Sequence, residues 1–137
     1  MVEIQISYQG GLRCSAVHGP SGTVIETDAP VDNNGRGEAF SPTDLAATAI
    51  GSCMMTIMGI VAQRKGIAIE GTRVQVRKIM ASDTPRRIGR LELDFIVPLP
   101  PDHPERSVLE AAALSCPVHH SLHPDIEVAI DWRWTGP

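Results

Sequence analysis

Hydrophobic and polar residues alternate over the first eight positions, which is the pattern of an amphipathic β-strand. The glycines at positions 10 and 11 end this strand in a turn, and residues 12–18 have the composition of a returning strand. A second turn at residues 19–22 leads to a third short strand over residues 23–27. The N-terminal part is therefore predicted to be a small sheet, followed by an irregular loop over residues 28–40.

A long uncharged run from Leu45 to Ala62 indicates a buried helix. Ser41 is placed to cap it, Pro42 fills its first position, and Gly66 follows the charged residues 64–65 that suit its C-terminus. The run also approaches the length of a membrane span, but its many glycine, serine and threonine residues and the lack of flanking aromatic residues argue against that. We expect a central helix and no membrane association.

The second half continues with strands over residues 72–80 and 87–98, the latter with a slip near Gly89-Arg90 that is typical of a bulge. A helix capped by residues 102–105 is expected to reach Leu114, and a short helix opens at Pro117. Alternation over residues 125–134 predicts the last strand. The order predicts a single α+β domain over residues 1–137 with an antiparallel sheet.

Composition limits the classes of function. The net charge of −4 gives no general attraction to nucleic acid or an acidic membrane surface. Three cysteines are too few for a disulfide scaffold, and the first residues form a charged strand pattern instead of a leader, so a cytoplasmic location is expected. In that compartment a cysteine pair is more often catalytic or metal-binding than structural.

Two cysteines have sequence contexts that fit such chemistry. Cys53 lies about three turns into the apolar helix, so apolar burial alone raises its pKa and leaves it inert unless the fold supplies a cation. Cys116 precedes Pro117 and is predicted to be a helix N-cap, where free amides lower the pKa of a thiol. The third cysteine, Cys14, is interpreted as a packing residue. The functional hypothesis depends on Cys53 and Cys116 meeting in space.

A histidine cluster directly after Cys116 leaves a metal site open as an alternative. Cys116, His119 or His120, and His123 follow one another at one-turn steps on a helix. A zinc site with all its ligands on one short helix is unusual, so no metal is expected. We expect instead that one histidine is a surface residue and that another, His119, lies near the thiols as a proton carrier.

Taken together, these segments resemble the OsmC/Ohr family of osmotically inducible and organic hydroperoxide resistance proteins. The matching segments are Ser41 to Leu45, Gly51-Ser-Cys53, Cys116-Pro-Val118, the Gly10-Gly11 turn with Arg13, and the loop at residues 34–37. The resemblance implies a sheet wrapped around a long central helix and an intertwined homodimer.

The resemblance also implies a chemistry. Cys53 is the expected peroxidatic thiol and Cys116 the resolving thiol in a reduction of organic hydroperoxides, with recycling by a dithiol or a lipoylated protein and without a cofactor. Arg13 best matches the arginine that sets the thiolate in this family, with Arg36 as the other candidate. Where peroxidase members carry a glutamate, this chain has Thr43 followed by Asp44, whose side chain points about 100° away around the helix.

Two hypotheses follow. The first is a thiol-dependent peroxidase of the oxidative stress response, in which Asp44 caps the helix or orients Arg13. The second is a dimer of the same fold that binds a small ligand or a partner and has weak or no peroxidase activity, because the family glutamate is missing.

Overall fold

The computed structural model describes the whole chain, from Met1 to Pro137, and contains the predicted elements in the predicted order. The strands are β1 (Ile4–Gly10), β2 (Arg13–His18), β3 (Val24–Asp28), β4 (Arg73–Met80), β5 (Ile88–Val97) and β6 (Glu127–Trp134). The helices are α1 (Pro42–Arg64), α2 (Arg106–Leu114) and α3 (Pro117–Ser121), with a short 3-10 helix at Val31–Asn33.

The chain forms two compact units, residues 1–46 and residues 47–137. Helix α1 begins in the first unit and continues through the second. The single domain expected from chain length stays a prediction.

The first unit contains an antiparallel sheet in the order β1-β2-β3. Gly10 and Gly11 both have positive φ angles, as the tight β1–β2 turn requires, and the non-glycine residue Leu12 follows with φ 63°. The side chains of β1 are exposed, including large apolar ones, whereas those of β2 are mostly half-buried. Asp28, at the end of β3, is 1 % exposed.

A reciprocal pair of hydrogen bonds starts α1, as the sequence predicts. The amide of Asp44 donates to Oγ of Ser41 at 3.1 Å, and the amide of Ser41 donates to Oδ2 of Asp44 at 2.9 Å. This is a capping box with aspartate in the place of the usual glutamate, and it satisfies amides that have no partner within the helix.

In the second unit, α1 buries one face and ends in a left-handed glycine. Gly66 has φ 68°, its amide donates to the carbonyl of Gln63, and the amide of Ile67 donates to the carbonyl of Ala62. The helix is long and apolar enough to span a membrane by composition, with a mean hydropathy of 1.9, and a third of that stretch is buried inside the protein. The buried side is that of a core helix and carries Ala47, Ile50, Gly51, Met54, Met58 and Ala62.

The second sheet has the order β4-β5-β6, with β5 in the centre. Strand β4 is antiparallel to β5, but β6 runs parallel to β5, so the all-antiparallel expectation is wrong for the last strand. The connection from β5 to β6 contains α2 and α3, and a helical crossover returns the chain in the same direction. The predicted slip is confirmed, because the register shifts by one residue at Gly89.

Helix α2 is fixed to the end of β6. It begins at Arg106, and its N-cap residue Glu105 belongs to the predicted cap at residues 102–105 but makes no side-chain capping bond. The indole nitrogen of Trp134 donates to Oε1 of Glu110 at 2.8 Å, and the guanidinium of Arg106 lies 5.5 Å from the Trp134 ring centroid. These contacts tie the helical connection to the sheet.

Candidate active site

Cys116 is the N-cap of α3, as the sequence predicts. Pro117 occupies the first turn, and the amide of His119 donates to Sγ of Cys116 at 3.2 Å. The residue is fully buried. The break between α2 and α3 therefore fixes the position of the Cys116 side chain, which is not free to rotate as an exposed side chain would be.

Burial decides the protonation of this thiol. Loss of solvent raises the pKa of Cys116 above the ordinary thiol value, and this outweighs the amides of His119 and Val118, which lower it. The prediction of a lowered pKa at this N-cap is therefore wrong in its net direction. The helix amides act as expected, but the cost of a buried anion is larger.

The thiols of Cys53 and Cys116 lie in hydrogen-bonding contact, and Cys53 is among the groups that raise the pKa of Cys116. Contact with the thiol of Cys53 therefore favours the protonated form of Cys116. A negative charge on Cys53 opposes loss of the proton from Cys116 in the same way. Both cysteines are reduced in this structure.

The two thiols differ in access to solvent. Cys53 is half-buried on α1, whereas Cys116 is fully buried beneath it in the second unit. A thiolate that meets an outside electrophile must be accessible, and a protonated, buried thiol is suited to react later with a neighbouring sulfur. The arrangement therefore separates an outer thiol from an inner one.

Arg13 belongs to the first unit, where carboxylates surround its guanidinium. It donates to both oxygens of Asp28, at 2.7 and 2.9 Å, and to Glu38 at 3.1 Å. Glu26 is a more distant ion partner at 3.8 Å. The Arg13 side chain is 23 % exposed, so the cluster is partly open to solvent.

Sequence reasoning missed all three carboxylates of this cluster, of which the buried one is Asp28. Its two hydrogen bonds from Arg13 hold the pKa of the buried carboxyl below its usual range, and the amide of Glu38 and the charge of Arg36 act in the same direction. The signal was present in the chain. The predicted turn at residues 19–22 pairs His18 with Thr23, and counting back along both strands places Arg13 opposite Asp28.

The supporting residues proposed from sequence have separate positions. Arg36 reaches the β1–β2 turn, where its Nη2 lies 2.9 Å from the position that a Cβ of Gly11 would take. Asp44 forms the cap of α1. Cys14 is half-buried on β2, opposite Tyr8 and Thr27. The guanidinium of Arg13 thus contacts the carboxylates of Asp28, Glu38 and Glu26.

The histidines after Cys116 point to separate partners. His119 contacts Cys116 through its backbone amide, and its Nδ1 lies 3.3 Å from the carbonyl oxygen of Leu114. His123 lies beside Asp125, whose amide donates to its Nδ1 at 3.1 Å. No group of three or more His, Cys, Asp and Glu side chains is arranged to hold a metal ion. The metal alternative has no cluster to support it.

Comparisons with known proteins agree on one family. A model of the OsmC-like protein family matches residues 35–131. No curated protein matches the chain. A crystal structure of an osmotic stress induced and detoxification response protein from Psychrobacter arcticus is 46 % identical, with 96 % of each chain covered and a TM-score of 0.90.

Two more distant structures share the fold. One is an organic hydroperoxide resistance protein, OsmC, from Legionella pneumophila, at 15 % identity, with 97 % of this chain and 96 % of that chain covered and a TM-score of 0.76. The other is an organic hydroperoxide resistance protein from Vibrio cholerae with captopril bound in one of its active sites, at 17 % identity, with 95 % and 90 % covered and a TM-score of 0.74. From the family model and the Psychrobacter protein together, the chain belongs to the OsmC-like protein family.

Proposed function

We propose that this protein is a thiol-dependent peroxidase that reduces organic hydroperoxides through Cys53 and Cys116. The thiolate of Cys53 attacks the distal oxygen of the hydroperoxide, the O–O bond breaks, and the alkoxide takes up a proton and leaves as an alcohol. Cys53 is then a sulfenic acid. Cys116 attacks its sulfur, forming the disulfide and releasing water. An external dithiol reduces the disulfide by two exchange steps and becomes oxidised itself.

The observation that carries the proposal is the contact between the two thiols. Disulfide formation requires two sulfurs that can approach to about 2.05 Å with little backbone movement. Cysteines of the cytoplasm in such proximity are more often redox-active than structural. The names of the Legionella and Vibrio proteins, which describe organic hydroperoxide resistance, support the same class of substrate.

Accessibility and protonation support the assignment of the two steps. Cys53 is the more accessible thiol of the pair, so we assign the first attack to it. Cys116 is buried and its pKa is raised, so it stays protonated until Cys53 has been oxidised. After oxidation the sulfenic sulfur is an electrophile in direct reach of Cys116.

The cation that holds Cys53 as a thiolate is proposed to be Arg13, with Arg36 as the second candidate. Family resemblance supports Arg13, whose side chain is partly exposed beside three carboxylates. Arg13→Gln is expected to slow hydroperoxide reduction, and Arg13→Lys to restore part of the rate by supplying charge without the planar donor fork. Arg36→Gln in the same assay separates the two candidates.

Self-association completes the proposal, with two copies of the chain forming a cytoplasmic homodimer. Its support is the apolar surface that a single chain leaves exposed, such as Ile4, Ile6 and Tyr8 on β1 and Ile60 on α1. An open groove of about 890 Å³ also runs between the C-terminal half of α1 and residues 66–72, and neither Cys53 nor Cys116 lines it. Light scattering gives the mass, and a monomer at micromolar concentration contradicts this part of the proposal.

The test is oxidation of the reduced protein with a slight excess of cumene hydroperoxide, followed by peptide mass spectrometry. We expect one equivalent of cumyl alcohol, loss of two thiols and a peptide pair joined through Cys53 and Cys116. Steady-state turnover with dihydrolipoamide then measures recycling. If the pair stays reduced at excess oxidant, the cycle is wrong.

Matched variants identify each sulfur. Cys53→Ser is expected to abolish hydroperoxide consumption, whereas Cys14→Ser, which removes the remaining thiol, is expected to leave it unchanged. A Cys14→Ser protein that loses the activity would assign the chemistry to a different pair.

The second candidate is a binding protein of the same fold without turnover. It is favoured by the engagement of Arg13 with Asp28 and Glu38, which offsets the positive charge that a thiolate needs. In that case the Cys53–Cys116 disulfide still forms under strong oxidant, but dihydrolipoamide gives no steady-state turnover. Retained binding of an apolar ligand by Cys53→Ser would then identify this candidate.

A further inference from the structure

We propose that Gly51 is a positioning residue for disulfide formation, because the absence of its side chain lets α1 approach β4 closely enough to hold Cys53 against Cys116. The inference rests on the dithiol cycle proposed above. It concerns residues of the second unit alone, and it assigns a role to a glycine that takes no part in the chemistry.

The close approach is visible at the contact between α1 and the second sheet. A Cβ built on Gly51 would lie 2.9 Å from Cγ2 of Val76 and 3.4 Å from Cγ1 of Val74. Real Cβ contacts are essentially never as short as the first distance, and a valine methyl group on a strand has little freedom to retreat. An alanine at position 51 must therefore push α1 away from β4 or rotate it.

Cys53 moves with that helix. It lies two residues after Gly51, which places it about 200° further around α1 and 3 Å along the axis. Since a helix moves as a rigid element over so short a distance, a displacement at Gly51 is transmitted to the sulfur of Cys53.

Cys116 is tied to the same sheet by a different route. Helix α2 is held to β6 by the bond between Trp134 and Glu110 and by the stacked Arg106, and α2 ends just before Cys116. Strand β6 pairs with β5, which pairs with β4. The sheet is thus the common support of both sulfurs, with Gly51 setting the position of one and Trp134 that of the other.

A change in the position of α1 is expected to slow or disfavour formation of the Cys53–Cys116 disulfide. The disulfide has narrow limits of length and dihedral angle. Misplacing reacting groups by about 1 Å lowers rates by up to about a hundredfold. Gly51→Ala is therefore expected to weaken the coupling of the two thiols even where the protein stays folded.

The experiment equilibrates the full-length protein with glutathione buffers of varied ratio. One oxidised glutathione and two protein thiols give the Cys53–Cys116 disulfide and two reduced glutathiones, so no hydroperoxide is needed. The readouts are the equilibrium constant of this exchange and the rate of the intramolecular step from the mixed disulfide. Peptide mass spectrometry assigns the bond, and circular dichroism reports folding.

Gly51→Ala is expected to lower the equilibrium constant or the intramolecular rate by about tenfold or more. Gly59→Ala is the matched control on the same helix, because a Cβ there meets nothing within 4 Å, and its constants are expected to equal those of the wild type. Val76→Ala introduced into Gly51→Ala makes room for the methyl group and is expected to restore both constants. If the Gly51→Ala protein does not fold, the comparison is made between the single variant Val76→Ala and the double variant that carries both Val76→Ala and Gly51→Ala.

Each failure has its own outcome. A wild-type protein that forms no Cys53–Cys116 disulfide in any buffer overturns the dithiol cycle. A wild-type protein that forms it, with Gly51→Ala indistinguishable from wild type, overturns only the positioning role. Equal losses in Gly51→Ala and Gly59→Ala, or a loss that Val76→Ala does not reverse, also contradict the inference, since close contact with Val76 is then not the cause.

Discussion

The thiol of Cys116 lies against the thiol of Cys53, although the two residues belong to different helices far apart in the chain. Cys116 is fully buried at a helix N-cap and Cys53 is half-buried in the middle of α1. The pair therefore combines an accessible sulfur with a protected one in one unit of the protein. This division of access and protonation is the basis of the predictions that concern chemistry.

Removing the inner thiol should stop the proposed cycle halfway. In Cys116→Ser, cumene hydroperoxide is expected to oxidise Cys53 to a sulfenic acid that persists, since no sulfur is left beside it to condense. Dimedone labelling followed by mass spectrometry detects this species, and higher oxidant gives the sulfinic acid. Absence of the dimedone adduct in Cys116→Ser, with adduct at Cys14 instead, would contradict the order of the two steps.

The buried thiol should make the protein less stable in alkali. Because burial raises the pKa of Cys116, the folded protein keeps the proton over a range where the unfolded chain, with a thiol pKa of about 8.5, has lost it. The stabilising effect is complete below about pH 8.5 and declines as the pH rises, by at most about 1.4 kcal/mol per pH unit. Urea unfolding from pH 7 to 10 measures the slope.

Cys116→Ser is the reference for that measurement, because other groups also titrate above pH 8.5. The variant is expected to have a shallower alkaline decline than the wild type. Identical slopes in the two proteins would mean that the folded protein does not keep this thiol protonated.

Asp28 should contribute to stability at neutral pH and lose that contribution in acid. The hydrogen bonds from Arg13 lower the pKa of this carboxyl in the folded protein, so its contribution is present above about pH 4 and is lost as the pH falls through the folded value. Asp28→Asn is expected to lower the melting temperature at pH 7 and to flatten the acid side of the stability profile. Thermal unfolding from pH 2 to 7 measures both effects.

Glu26→Gln is the matched control, since Glu26 is an exposed partner of the same guanidinium at 3.8 Å. An exposed pair of this kind contributes little to stability. Similar losses in Glu26→Gln and Asp28→Asn would contradict the importance assigned to the buried hydrogen bonds.

The capping box at the start of α1 should be measurable as helix stability. Ser41→Ala removes the acceptor of the Asp44 amide and is expected to destabilise the protein by about 0.5–2 kcal/mol. Thr56→Ala truncates an exposed hydroxyl on the same helix and is expected to be close to neutral. Equal midpoints for Ser41→Ala and the wild type in chemical unfolding would show that the cap is dispensable.

Local pattern predicted the elements of this fold well because their signals are short in range. Alternation identified the strands, and the Ser41-Pro42-Thr43-Asp44 segment and Gly66 identified the two ends of α1. The cross-strand pair of Arg13 and Asp28 was also within reach, because the position of a hairpin turn fixes the register of both strands. The parallel direction of β6 follows from the helices that precede it.

By itself, the sequence determined which cysteines are candidates for redox chemistry, which of them caps a helix, and where each helix and strand lies, since capping and alternation act over a few neighbouring residues. Tertiary structure decided the rest. Contact between Cys53 and Cys116 depends on how two remote helices pack on one sheet, and the raised pKa of Cys116 depends on how completely that packing removes water. Neither quantity is a property of a short segment, because burial and distance are set by atoms that the chain supplies from elsewhere.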